Sequence, residues 1–201
     1  MENCFMKIIV ASNNMHKIEE IKTTLKDFNI EVLSLKDVNI NVDPEENGKT
    51  FKENAFIKAN EIAKFTNEII VADDSGLEIE ALDGFPGIYS SRFLENKSYE
   101  EKFVAINKML EGKNNRKANY TCALCILNLE KEPIYIEGKV FGTLLQEPQG
   151  EQGFGYDPIF YYEPYQCTFA QIDQQQKNKV SHRGEAIKQF VELIKKHNEK
   201  I

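Results

Sequence analysis

The chain has 201 residues, 41% of them apolar and 28% charged, with a net charge of −7, so it can bury a sizeable core and reads as one domain. No apolar run reaches the length of a membrane-spanning helix, and the segment Glu2 to Val10 is too short and too polar for a signal peptide, which predicts a cytoplasmic protein with no membrane attachment. The acidic balance, with no basic stripe against it, excludes a nucleic-acid partner held by phosphate neutralisation.

In chain order, Lys7-Ile8-Ile9-Val10-Ala11 reads as a strand, Ser12 to Lys17 as a small polar loop, and the following stretch as an amphipathic helix to about Phe28. A strand, a polar loop and a helix N-terminus make an anion cradle, here with Lys17 nearby. It lacks the glycines of a P-loop or a dinucleotide fingerprint, so neither motif applies. Glu31 to Leu35 is a second strand and Asn39 to Lys49 a loop. Thr50 and Glu53 fit a capping box, predicting a helix from Phe51 to about Phe65 that carries Asn54 and Lys58 on one face.

The run Glu68 to Ala72 is β-branched and apolar and leads directly into Asp73 and Asp74. Adjacent carboxylates repel each other, so they are expected in water or beside a compensating cation. Placed at a strand's C-terminal end, where open α/β sheets bind ligands, the pair fits a metal or catalytic site, while Asp-Ser-Gly also fits a solvated turn. The spacing is not the Asp-x-Asp of haloacid-dehalogenase-type phosphatases.

Further on, Tyr99 to Leu110 reads as a helix with Phe103, Ile106 and Leu110 on one stripe. Ala118 to Leu129 and Ile134 to Leu145 read as a β-hairpin. Pro158 to Tyr161 is a short strand, and a polar loop then leads to a closing helix from Gly184 to His197. The helix–strand alternation with a central hairpin predicts a mixed sheet with flanking helices. Cys122 and Cys125 lie in the hairpin's first strand; an odd spacing of three sends them to opposite faces, which suits reduced core thiols better than metal ligands, and Cys4 and Cys167 complete no zinc pattern. His16 and His197 have no supporting neighbours and are expected at the surface.

Four segments in order, Ser12-Asn13-Asn14-Met15-His16-Lys17, Ala72-Asp73-Asp74-Ser75-Gly76-Leu77, Gly153-Phe154-Gly155-Tyr156-Asp157-Pro158 and Lys177 to Ala186 with its Ser-His-Arg-Gly, closely resemble the Ham1-like family of inosine triphosphate pyrophosphatases, from Ile8 to about Phe190. The resemblance implies an elongated α/β fold over residues 1–201, with two lobes around a central cleft, usually as a homodimer. It implies magnesium-dependent cleavage of non-canonical purine nucleoside triphosphates to the monophosphate and pyrophosphate. A related pyrophosphatase of other base preference, such as the Maf-like group, or a non-catalytic nucleotide-binding module are the alternatives; turnover with pyrophosphate release separates the enzymes from the module.

The resemblance assigns Mg2+ to Glu46 and Asp74, with Asp74 also the proton acceptor, Asp73 in support and Lys58 on the phosphates. Ser12, Asn13, Asn14, Met15, His16 and Lys17, together with Ser75, hold phosphate and sugar. Many members carry Thr-Gly-Asn where this chain has Ser12-Asn13-Asn14, which leaves the contact of residue 13 open. Phe154, with Gly155 beside it, offers an aromatic face to the base, Tyr156 packs in the wall, and Asp157, Lys177, His182 and Arg183 supply an acceptor and donors. A 6-oxo purine presents an acceptor where adenine carries an amino donor, so a donor-lined pocket leaves adenine unpaired.

Overall fold

The computed structural model describes residues 6–198. Their helices are α1 (Met15–Leu25), α2 (Phe51–Ile62), α3 (Tyr99–Met109), α4 (Gln174–Val180) and α5 (His182–Asn198). The strands are β1 (Met6–Val10), β2 (Ile30–Ser34), β3 (Ile69–Ile79), β4 (Lys117–Leu127), β5 (Ile134–Leu144), β6 (Phe160–Tyr162) and β7 (Cys167–Thr168), in the sheet order β2-β1-β3-β4-β5-β6-β7. β1 pairs in parallel with β2 and β3, whereas β6 is antiparallel to β5 and β7, so the sheet is mixed. Cys4 lies outside the described residues.

The chain packs as two compact units, and the long strands β3, β4 and β5 each pass from one to the other. Unit 1 comprises residues up to Asp74, Cys122–Gly138 and the chain from Arg183 onward. Its central strands, β1 and the adjoining parts of β3 and β4, are covered on both faces. In β1, Ile8 and Val10 pack with Ile18, Ile21 and Leu25 of α1 and Ile187 and Phe190 of α5; Ile9, one residue on, packs with Ala55, Ala59 and Ile62 of α2. Double coverage is why these strands read as unbroken apolar runs. Cys122 belongs to the first cluster and Cys125 to the second, as their odd spacing requires, and both are buried free thiols.

Unit 2 comprises Ser75–Thr121 and Lys139–His182. Here one strand face is apolar: Leu77, Ile79, Tyr120, Val140 and Leu144 pack against Phe103 and Ile106 of α3, Leu110 at its C-cap, and Phe160 and Phe169. The alternating residues on the other face are polar, with Glu78 accepting hydrogen bonds from Asn119 (2.7 Å) and Thr121 (2.5 Å).

Several local expectations change. β3 does not end at the carboxylates but continues through Asp73, Asp74 and Ser75 to Ile79; what ends is its parallel partner β1, whose register stops at Val10↔Val71. α1 stops at Leu25, short of Phe28, and α2 at Ile62. Residues Asp157–Ile159 form a 3-10 turn, so β6 starts only at Phe160. The polar loop before the last helix contains α4, and α5 starts two residues early, at His182.

Candidate active site

Asn14 caps α1, its side-chain oxygen accepting from His16 N (3.0 Å) and Lys17 N (3.3 Å), and Ser12 Oγ accepts from Asn14 N (3.1 Å). The cradle is therefore closed by its own side chains. The Asn13 amide donates to Val42 O and Asp43 Oδ1, both at 3.3 Å, so residue 13 ties this loop to the next. Met15 and His16 are exposed.

Strand alternation separates the two carboxylates. Asp73 faces α1 and α5: Lys17 Nζ lies 3.0 Å from its Oδ2 and Arg183 Nη2 3.2 Å, and Arg183 also donates from Nη1 to Glu20. Asp73, Glu20 and Arg183 are all buried. Glu20 stands one turn after Lys17, on the same face of α1, which explains why one helix brings both a cation to Asp73 and an anion to Arg183. Burial alone would push the Asp73 carboxyl up; Lys17, Arg183 and Lys58 outweigh it and hold the group well below the usual carboxylate range.

Asp74 faces α2. Its Oδ2 accepts from the Asn54 amide (3.0 Å), and Lys58 Nζ stands 3.7 Å from its Oδ1 and 2.7 Å from Glu46 Oε1. Asn54 is fully buried and also accepts from Gly48 N (2.8 Å), so one side chain fastens the Glu46 loop to the strand that bears Asp74. Thr50 caps α2 by accepting from Glu53 N, while Glu53 itself reaches back to Lys49 N (2.6 Å). Burial pushes the Asp74 carboxyl up, and Glu46 adds to this against the pull of Lys58 and Lys17. For Lys58, burial opposes the charge, but Asp74, Asp73 and Glu46 win and raise its pKa. Neighbours of one residue type thus sit in opposite electrostatic settings.

In unit 2, Asp157 Oδ2 accepts from Lys177 Nζ (2.7 Å) and from Phe154 N (2.9 Å), and the Lys177 ammonium lies 4.5 Å from the centre of the half-buried Phe154 ring. Gly153 has a φ of +72°, and a Cβ there would meet Asp157 Oδ2 at 2.2 Å, so only glycine fits. Tyr156 is buried and donates to Ser90 O (2.8 Å). His182 stacks on Tyr120 with centroids 4.7 Å apart. Ser75 is half-buried in β3, and a side chain at Gly155 would place its Cβ 3.7 Å from the Tyr99 hydroxyl.

The structure therefore gathers Lys17, Glu46, Lys58, Asp73, Asp74 and Arg183 in one unit and Phe154, Asp157, Lys177 and His182 in the other. Arg183, expected among the base donors, turns its guanidinium onto Asp73 and Glu20. His197 is half-buried against Glu130 at 3.1 Å. Tyr120 carries no sequence signal as a site residue, and the one hint for Glu20 is a charge three residues after Lys17 on an apolar helix face.

The Ham1 family model matches residues 8–193. A dITP/XTP pyrophosphatase of Clostridium perfringens is 44% identical over 200 residues, covering 94% of this chain and 97% of that one. The chain belongs to the Ham1 family. A second relative of that name, from Thermoanaerobacter pseudethanolicus, is 42% identical over 197 residues, covering 96% of this chain and 99% of its own. Among solved Ham1 structures, that from Coxiella burnetii superposes with a TM-score of 0.87 at 37% identity, covering 95% of this chain and 99% of the other. The Staphylococcus aureus Ham1 protein gives 0.84 at 38% identity, covering 94% and 98%. The mixed α/β architecture described above is thus the Ham1 fold.

Proposed function

We propose that this chain hydrolyses non-canonical purine nucleoside triphosphates, dITP, ITP and XTP, between the α- and β-phosphates, releasing the monophosphate and pyrophosphate and clearing them from the nucleotide pool. One observation carries the reading: in a Ham1 chain whose relatives are named dITP/XTP pyrophosphatases, two carboxylates of unit 1, Glu46 and Asp74, share one ammonium, that of Lys58.

Magnesium is the cation we assign. Glu46 and Asp74 already share a positive charge at 2.7 and 3.7 Å, and two carboxylates completed by water and phosphate oxygens make a donor set magnesium accepts, so the residues fit it. When bound, it supplies charge neutralisation for the phosphates and a more acidic water. Asp74 takes the proton from the attacking water. Asp73 is unsuited to that step, because Lys17 and Arg183 hold it ionised; it positions Lys17, and Arg183 acts through it. Lys58 and Lys17 bear on the phosphate chain.

Unit 2 recognises the base. Phe154 offers its ring face, and Lys177 and His182 supply donors to the 6-oxo group that adenine cannot accept. The same reading includes a homodimer in the cytoplasm; no helix among the described residues is long and apolar enough to cross a membrane.

The test is a panel of dITP, XTP, dGTP and dATP with magnesium, assayed for pyrophosphate over many turnovers. Preference for dITP and XTP over dATP by tenfold or more in kcat/KM, about 1.4 kcal/mol, is expected. Release of orthophosphate instead, or saturable binding without turnover, overturns the proposal.

A further inference from the structure

Tyr120 stands in the apolar run of β4, and its ring is the surface on which His182 lies: the two planes are 12° apart with centroids at 4.7 Å. Phe160 (4.6 Å) and Phe169 (6.3 Å, 2° between planes) hold the Tyr120 ring from within the core of unit 2, so it cannot swing without repacking that core. Its hydroxyl lies 3.5 Å from Asp157 Oδ1, the oxygen opposite the one that binds Lys177 and Phe154 N. Tyr120 is 7% exposed, His182 5%, Asp157 2% and Lys177 2%, so the group is dry and each member's position depends on its neighbours. Burial, with Asp157 beside it, raises the phenol far above its ordinary pKa, so the hydroxyl serves only as a neutral donor.

We propose that Tyr120 is a positioning residue for base recognition: its ring sets the plane of the His182 imidazole, and its hydroxyl steadies Asp157, which in turn holds Lys177 over Phe154. This rests on the reading of unit 2 as the base-recognising group. A leucine would fill the core but present no flat face, and a phenylalanine would keep the face and lose the hydroxyl, so the two variants separate the two parts of the role.

The experiment measures kcat/KM for dITP and dATP, and the proton spectrum of the histidines, in wild type, Tyr120→Phe and Tyr120→Leu. The chain has three histidines, and His16 is exposed, so its signals serve as the reference; His182→Gln assigns those of residue 182. The ring of Tyr120 should shift the His182 signals upfield; Tyr120→Phe keeps that shift and Tyr120→Leu loses it. Tyr120→Phe should lower kcat/KM on dITP roughly two- to tenfold, the worth of one net hydrogen bond, and dATP by less, with Tyr120→Leu losing more. A purely structural role predicts equal losses on both substrates. An unmoved His182 signal in Tyr120→Leu, or a dITP-to-dATP ratio unchanged in both variants, overturns the proposal; should the leucine variant fail to fold, the ratio in Tyr120→Phe decides. A wild-type protein that releases no pyrophosphate from dITP sinks the functional reading instead, and the histidine spectra still decide whether Tyr120 orients His182.

Discussion

Period-two alternation turns Asp73 toward Lys17 and Arg183 and Asp74 toward Asn54 and Lys58, so substituting either should have a different signature. Asp74→Asn should lower turnover by about 10²–10⁴, the range of general acid–base groups, without unfolding the protein. Asp73→Asn should instead cost about 3–5 kcal/mol of stability, because it takes one carboxylate from the buried Arg183 and the partner from Lys17. The Asp73 carboxyl is depressed in the folded state, so its contribution is present above the unfolded pKa near 3.9 and fades as pH falls below it. Urea midpoints in chelator-containing buffer should therefore fall with acid in wild type and less steeply in Asp73→Asn; parallel curves would remove Asp73 from the acid response. Arg183→Ala should lower kcat/KM on dITP and dATP alike, since its guanidinium serves Asp73 and Glu20; a change confined to dITP would return it to the base.

Among the elements, α4 shows how a functional helix can hide. Gln174-Gln175-Gln176-Lys177-Asn178-Lys179-Val180 has no apolar period, and its buried residue is a lysine paired with Asp157. The legible signal is the cap: Asp173 accepts from Gln176 N (2.8 Å) and Gln176 reaches back to Asp173 N (3.2 Å). Asp173→Ala should cost about 1 kcal/mol and speed hydrogen exchange across residues 174–180 while sparing α2. Unchanged exchange there would mean that the Lys177–Asp157 pair, not the cap, holds α4. By contrast α2 was readable from Thr50 and Glu53 at its start, and α3 from the stripe of Phe103, Ile106 and Leu110; the Ser98 cap with Glu101 is a further signal at the start of α3.

For the molecule as a whole, the two free thiols on opposite sheet faces report on the integrity of unit 1. Burial pushes both Cys122 and Cys125 up to about 12, so neither offers thiolate near neutral pH. Mass mapping after iodoacetamide should find both unlabelled in the native protein and both labelled together on unfolding; native labelling of either would place it outside the core. The chain passes between its units at Asp74–Ser75, Thr121–Cys122, Gly138–Lys139 and His182–Arg183, so site residues adjacent in sequence at the first and last of these belong to different packing environments.

The sequence by itself determined the order of the motifs, the family and the longer strands and helices (though not α4), because apolar period, caps and collinear polar motifs are local properties of the chain. It marked Asp73, Asp74, Lys58, Lys177 and His182 as chemistry without assigning partners. Tertiary structure decided that β3 runs through the carboxylates, since the end of β1 leaves them beside α1 and α2, and it decided which cation meets which acid. Arg183 illustrates the limit: its partners Glu20 and Asp73 lie 163 and 110 residues away, and a charge's environment is set by what folding brings within a few ångströms, which no local spacing encodes.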